Sequence, residues 1–361
     1  MLLNIQILRF VAAMGVVLGH TYSGMTPADY APYWPKLLTY VAAAGLAGVD
    51  LFFVISGAVM AESTRGLAPG LNTGLRFGAT RFARIYIGWW PFFALYLAAA
   101  LLHGGLPKKV LLAGSFFLLP LRLDEYLVAL LWTLSFELYF YLVLAVLLTR
   151  FERKRLRLVL WAWGAAIAAF TAHSVAVGMY TPARFSEVNL WHLFFAYPLV
   201  LEFIAGFLLC DYLRSRPHTR WQPAALTAIL FATMAVVYQR RGGLHVSGLG
   251  GYFHAPERAL LVGTACCAIV ACAILWRNAS GRFGRSLVSL GDASYAMYLG
   301  HLLVLALFYA AVRQLGVPPS LKVALQVLMV CTVVAYSWAH YTWIEHPLYR
   351  RTRQRIQAAF P

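Results

Sequence analysis

The chain has 361 residues, of which 61% are hydrophobic and only 12% charged, and its mean hydropathy is +0.69. So few polar side chains cannot coat a soluble globule of this length, which places the chain in lipid and leaves no stretch for a separate soluble domain. The formal net charge of +17 does not indicate a nucleic-acid binder, because Lys and Arg sit in short segments between apolar runs and form no single polar face. Five cysteines, Cys210, Cys266, Cys267, Cys272 and Cys331, fall in or beside apolar runs without zinc-site spacing, so neither a metal centre nor a disulfide framework is expected.

Taken in chain order, apolar runs near 5–24, 38–61, 85–103, 127–149, 157–178, 190–213, 223–239, 256–276, 286–311 and 321–344 predict about ten membrane-crossing helices. Each is near the roughly 20 residues that span a hydrocarbon core. The piece 110–120 is too short to cross and is expected to be re-entrant or interfacial. The first run has no basic leader and carries Arg9, so it is expected to be retained as a helix and not removed as a signal peptide. Nineteen Lys and Arg fall in one alternate set of loops, from Arg65, Arg76, Arg81 and Arg84 to Arg350, Arg351, Arg353 and Arg355, against eight in the other set. This bias predicts both termini in the cytoplasm. The expected fold class is therefore all-α, a polytopic membrane domain over 1–349 followed by a basic cytoplasmic tail, 350–361, that anchors on anionic membrane lipids. Lipid-facing and partner-facing apolar surfaces have the same composition, so no oligomeric state follows.

Ionisable groups inside spans carry the functional signal, because each is costly unless it faces a cavity or a partner. Arg9 and His20 are eleven residues apart on the first helix, which puts them within about 20° of one stripe and about 16 Å apart along the axis. The plainer alternative is that Arg9 snorkels to headgroups and His20 hydrogen-bonds a neighbouring helix. Asp50 precedes a run ending in Ser56-Gly57 and needs a cation or donor, while the Ser-Gly pair suits close helix packing or a ligand contact. Trp132, Ser135, Glu137 and Tyr141 follow on the fourth helix, where a mid-span carboxylate is the best acidic candidate to orient a histidine base.

Arg81 and Arg84, one turn apart, suit either a phosphate clamp or simple positive-inside anchoring. Ser294, Tyr295, Tyr298 and His301 mark the ninth run, with Tyr298 and His301 on one face for polar packing or acceptor binding. Glu345, two residues before a helix-ending Pro347, is expected to pair with one of the following arginines.

Together these segments resemble the acyltransferase-3 family of membrane O-acyltransferases, which includes bacterial O-antigen, exopolysaccharide and nodulation-factor acetyltransferases. The matching positions are Arg9 with His20, Gly48-Val49-Asp50 through Gly57, Arg81 with Arg84, Trp132 to Glu137, Ser294 to His301, and Glu345 with Pro347. Thr133, Leu138 and Ala58 depart from the family pattern. The resemblance implies acetyl-CoA, or another acyl-CoA, as a co-substrate held by Arg9, Arg81 and Arg84, and no permanently bound cofactor. It also implies a saccharide or lipid-linked saccharide acceptor, catalysis by His20 and Glu137, and a bacterial inner membrane. Direct transfer is expected over an acyl-enzyme on Ser56 or His20, since no Ser or Cys is locally paired with a base. A secondary transporter is the rival reading, but the first 150 residues have no counterpart in the second half. A non-catalytic lipid- or sugar-binding subunit is the other, and the presence of both His20 and Glu137 speaks against it.

Overall fold

The computed structural model describes residues 3–25, 44–45, 47–102, 104–181, 194–216, 218–240, 255–277, 281–315 and 319–360. Among them the regular structure is helical, with no strand. In chain order the helices are α1 (Leu3–Met25), α2 (Gly48–Ser63), α3 (Leu71–Leu102), α4 (Leu112–Phe116), α5 (Leu131–Arg150), α6 (Arg153–Ala176) and α7 (Val200–Arg214). There follow α8 (Gln222–Arg240), α9 (Ala255–Leu275, with a π turn at Ala259–Gly263), α10 (Gly281–Asp292), α11 (Ser294–Gln314), α12 (Pro319–His340) and α13 (His346–Ala359). A second π turn, Tyr341–Glu345, joins α12 to α13.

Eight of the described helices are long and apolar enough to cross a membrane: α1, α3, α5, α6, α8, α9, α11 and the α12–α13 rod. The protein is thus an all-α polytopic membrane protein. Helix α8 carries an apolar face of the kind that lipid covers: Leu226, Ile229 and Leu230 are 68%, 64% and 57% exposed. Helices α2 and α7, with 16 and 15 residues, are short for a span, and positions 38–43, 46 and 190–193 of the runs expected there lie outside the described residues.

Three expectations need correction. The helix expected at 85–103 starts at Leu71, so Arg76, Arg81 and Arg84 lie inside α3; arginine is a good helix former, and its long stem lets the charged head leave the apolar layer without ending the helix. The run 286–311 is broken at Ala293 into amphipathic α10 and apolar α11. Pro347 does not stop the last helix, which runs on to Ala359. The π turn that precedes it widens the backbone where the proline ring would meet the carbonyl four residues back, so the ring is accommodated and the basic tail becomes helical. The piece 110–120 does not cross: it holds only α4, which Trp89 fixes by donating Nε1–H to the Ser115 carbonyl at 3.0 Å.

The chain divides into two compact units. Unit 1 is Met1–Val49 with Asn278–Leu348, and unit 2 is Asp50–Arg277 with Tyr349–Pro361. In unit 1, α1 buries Ala12, Ala13, Val16 and Val17 and packs on α10 and α11, with α11 against α12. A side chain at Gly291 would fall on the Gln6 carbonyl, so α10 lies against α1 backbone to backbone. In unit 2, α3 packs on α5, α7 on α6 and α9, and α8 on α9. Its core is aromatic: Phe203 stacks on Phe53 at 4.5 Å and on Phe140 at 4.9 Å. Helices α2 and α7 cross at reciprocal glycines, Gly57 under the Phe203 carbonyl and Gly206 under the Val54 carbonyl. Lipid gives no hydrophobic drive for helices to associate, so this close van der Waals fit is what holds them.

Candidate active site

Unit 1 brings two imidazoles together. His20 is half-buried on α1, and its Nδ1 lies 3.0 Å from the Val16 carbonyl one turn back. His301, fully buried on α11, has Nδ1 2.7 Å from the Tyr298 carbonyl and Nε2 3.2 Å from His20 Nδ1. A carbonyl only accepts, so in the neutral pair each Nδ1 carries its hydrogen. His301 Nε2 then presents a lone pair to His20 Nδ1–H, which is shared with Val16. The same logic leaves the lone pair of His20 on Nε2, the nitrogen a general base needs. The Tyr309 hydroxyl donates to the Thr21 carbonyl at 3.4 Å and ties α11 to α1 beside His20. Arg9, on the same helix, donates to Gln6 Oε1 at 3.4 Å. Tyr298 sits with its ring 5.9 Å from His301; Ser294 and Glu345 are fully buried, and Tyr295 lies beside Ser294 at the start of α11.

Within unit 2, Glu137 on α5 is held from two sides. Ser56 of α2 donates to its Oε1 at 3.2 Å, and Tyr141, one turn along α5, donates to the same oxygen. Two hydroxyl donors on one oxygen fix the carboxylate as an acceptor. Tyr141 meets the Phe77 ring edge to face at 6.5 Å, and the Arg81 guanidinium lies over that ring at 5.5 Å. The arginine expected to bind the donor is therefore two aromatic rings from Glu137. Arg84 lies over the Tyr349 ring at 5.5 Å.

Asp50 finds the cation it needs in Arg258 of α9, whose Nε and Nη2 donate to its two carboxylate oxygens at 2.8 and 2.6 Å. Arg258 was not singled out in the sequence, although an arginine inside an apolar run carries the same signal as Arg9. Ser135 stands apart from the cluster: its hydroxyl meets Tyr126 OH at 2.8 Å and holds the 119–126 loop. Trp132 packs edge to face on Phe53 at 6.1 Å, and Gly57 serves the α2–α7 crossing. Arg153, read only as a topological charge, is a structural hub that donates to Thr64 Oγ1, the Ala61 carbonyl and Asp211 while lying over the Phe207 ring.

Unit 1 thus holds a pair of imidazoles and unit 2 a hydroxyl-held carboxylate with an arginine nearby, each a polar cluster inside an apolar protein. The family model described as an acyltransferase domain, acyltransferase 3, matches residues 2–342, and the chain belongs to the acyltransferase-3 family. It is a membrane acyltransferase. Among curated proteins it is similar to the exopolysaccharide production protein ExoZ of Rhizobium meliloti (strain 1021), with 31% identity over 326 residues that cover 86% of this chain and 92% of that protein. No solved structure matches the chain.

Proposed function

We propose that the protein is an O-acyltransferase that moves an acetyl group from cytoplasmic acetyl-CoA to a hydroxyl of an exopolysaccharide or its lipid-linked precursor, in a bacterial inner membrane. The observation that carries this reading is the His20–His301 pair, which leaves His20 Nε2 as the basic nitrogen. In the reaction the acceptor O–H gives its proton to His20 Nε2 as its oxygen attacks the thioester carbonyl. The C–S bond then breaks, and the CoA thiolate takes the proton back from the imidazolium. Val16 and His301 accept from Nδ1–H throughout, and the charge-assisted bond to His301 favours the imidazolium. Glu137, oriented by Ser56 and Tyr141, is the second proposed catalytic group. Arg81 and Arg84, with Arg9, are assigned to the CoA phosphates, where fork-shaped donors suit the ligand. The acceptor follows from the name of the relative.

The test is transfer and binding of radiolabelled acetyl-CoA by the purified protein. His20→Ala and Glu137→Gln are expected to lose transfer and keep donor binding, and Arg81→Ala/Arg84→Ala to weaken donor binding by about tenfold or more. Wild-type turnover in His20→Ala, with the protein folded, would overturn the mechanism.

A further inference from the structure

Glu202 of α7 has no part in the chemistry above. It is 2% exposed, beside Asp50 at 0% and Arg258 at 9%. Arg258 gives both arms of its fork to Asp50, so those two charges already cancel. The Glu202 carboxyl lies against Asp50 and near Arg258, and among the described residues no N–H or O–H donates to either of its oxygens. An ionised carboxylate there would have lost water, gained no donor and faced a second carboxylate, which is the most costly state a buried acid can adopt. The neighbouring Asp50 carboxylate is an acceptor, so a hydrogen bond between the two acids requires a proton on one of them.

We propose that Asp50, Arg258 and Glu202 form an intramembrane binding site for a single proton, held as the carboxylic acid of Glu202 and donated to Asp50. The cluster is then neutral: one guanidinium, one carboxylate and one acid. Its surroundings are shaped for that acid. A side-chain carbon at Gly263, in the π turn of α9, would come within 2.8 Å of Glu202 Oε1, so the missing side chain and the widened turn make room for it. The other titratable groups facing the cluster are Cys266 and Cys267 of α9 and Tyr197. None of them is cationic, so among the described residues Arg258 is the sole positive charge facing two carboxyls. Loss of the proton would leave one negative charge among α2, α7 and α9, which ties the packing of these helices to proton availability.

Infrared spectroscopy of the purified full-length protein in lipid nanodiscs reads this directly and does not depend on acyl transfer. At neutral pH exposed carboxyls are ionised, so a protonated-acid C=O band should be present in the wild type. Its intensity should fall in Glu202→Gln, a neutral isostere that can still donate to Asp50 and so keeps the fold, any remainder belonging to another buried acid, Glu345. Asp50→Asn should show the same fall, because Glu202 then becomes the counter-ion of Arg258. The absence of the band in the wild type, or a band equally strong in either variant, overturns the proposal.

Discussion

Replacing His301 by Phe keeps an aromatic ring in a fully buried position and removes the acceptor 3.2 Å from His20 Nδ1. The bond matters most when His20 holds the substrate proton, since it then joins a cation to a lone pair, worth about 1.5 to 3 kcal/mol. The Val16 carbonyl, at 3.0 Å, still accepts from the same N–H, which puts the loss at the lower end of that range, or about tenfold in kcat. Acetyl-CoA binding does not pass through this bond, so KM should stay within about twofold. Initial rates at saturating and limiting acetyl-CoA separate the two, and His301→Gln, whose amide oxygen can accept, should recover most of the rate. A His301→Phe enzyme with unchanged kcat, or one whose loss lies only in KM, would refute the assignment of His301 as a positioning residue.

Arg153→Ala should destabilise the fold by about 2 kcal/mol, because Asp211, with its side chain 8% exposed, loses its nearest cation and keeps only Arg157 at 3.4 Å. Thermal inactivation in detergent measures this, and Arg153→Lys should restore only part of it, since an ammonium cannot fork to Thr64, Ala61 and Asp211 together. Arg214, at the end of α7, donates to both oxygens of Glu62 of α2 at 3.1 and 2.7 Å and holds that carboxyl below its usual range. A depressed carboxyl stabilises the fold above the unfolded value of about 4.3 and ceases to do so as pH falls through the folded value. Both side chains are about a third exposed, so Glu62→Gln should cost at most about 1 kcal/mol at neutral pH. The difference from wild type should vanish in acid and shrink in high salt.

The spans were legible because twenty apolar residues in a row have few uses outside lipid, and the polar residues within them stood out for the same reason. The start of α3 was not legible: Arg76, Arg81 and Arg84 look like a loop if charge is taken to end a span, yet they are helical. Nor did Pro347 reveal that a π turn would absorb it, since that turn has no composition of its own. His20, His301, Ser56, Glu137 and Asp50 were found singly, but the pairings across helices were not, and Arg258 was missed altogether. His301 is 281 residues from His20 and Arg258 is 208 from Asp50, and local spacing carries no information about pairs that only tertiary packing brings together. Ser135 shows the converse, a motif residue two positions from Glu137 in sequence whose hydroxyl serves the 119–126 loop.

The crossing of α2 and α7 has a consequence for how this protein can change over generations. Gly57 and Gly206 each lie under a main-chain carbonyl of the other helix and not under a side chain. When two side chains clash, a smaller partner can compensate for a larger one. A carbonyl has no smaller form, so no substitution elsewhere relieves a methyl group added at either glycine. The two positions are therefore constrained one at a time, and a contact this close would leave no trace of paired substitution among related sequences.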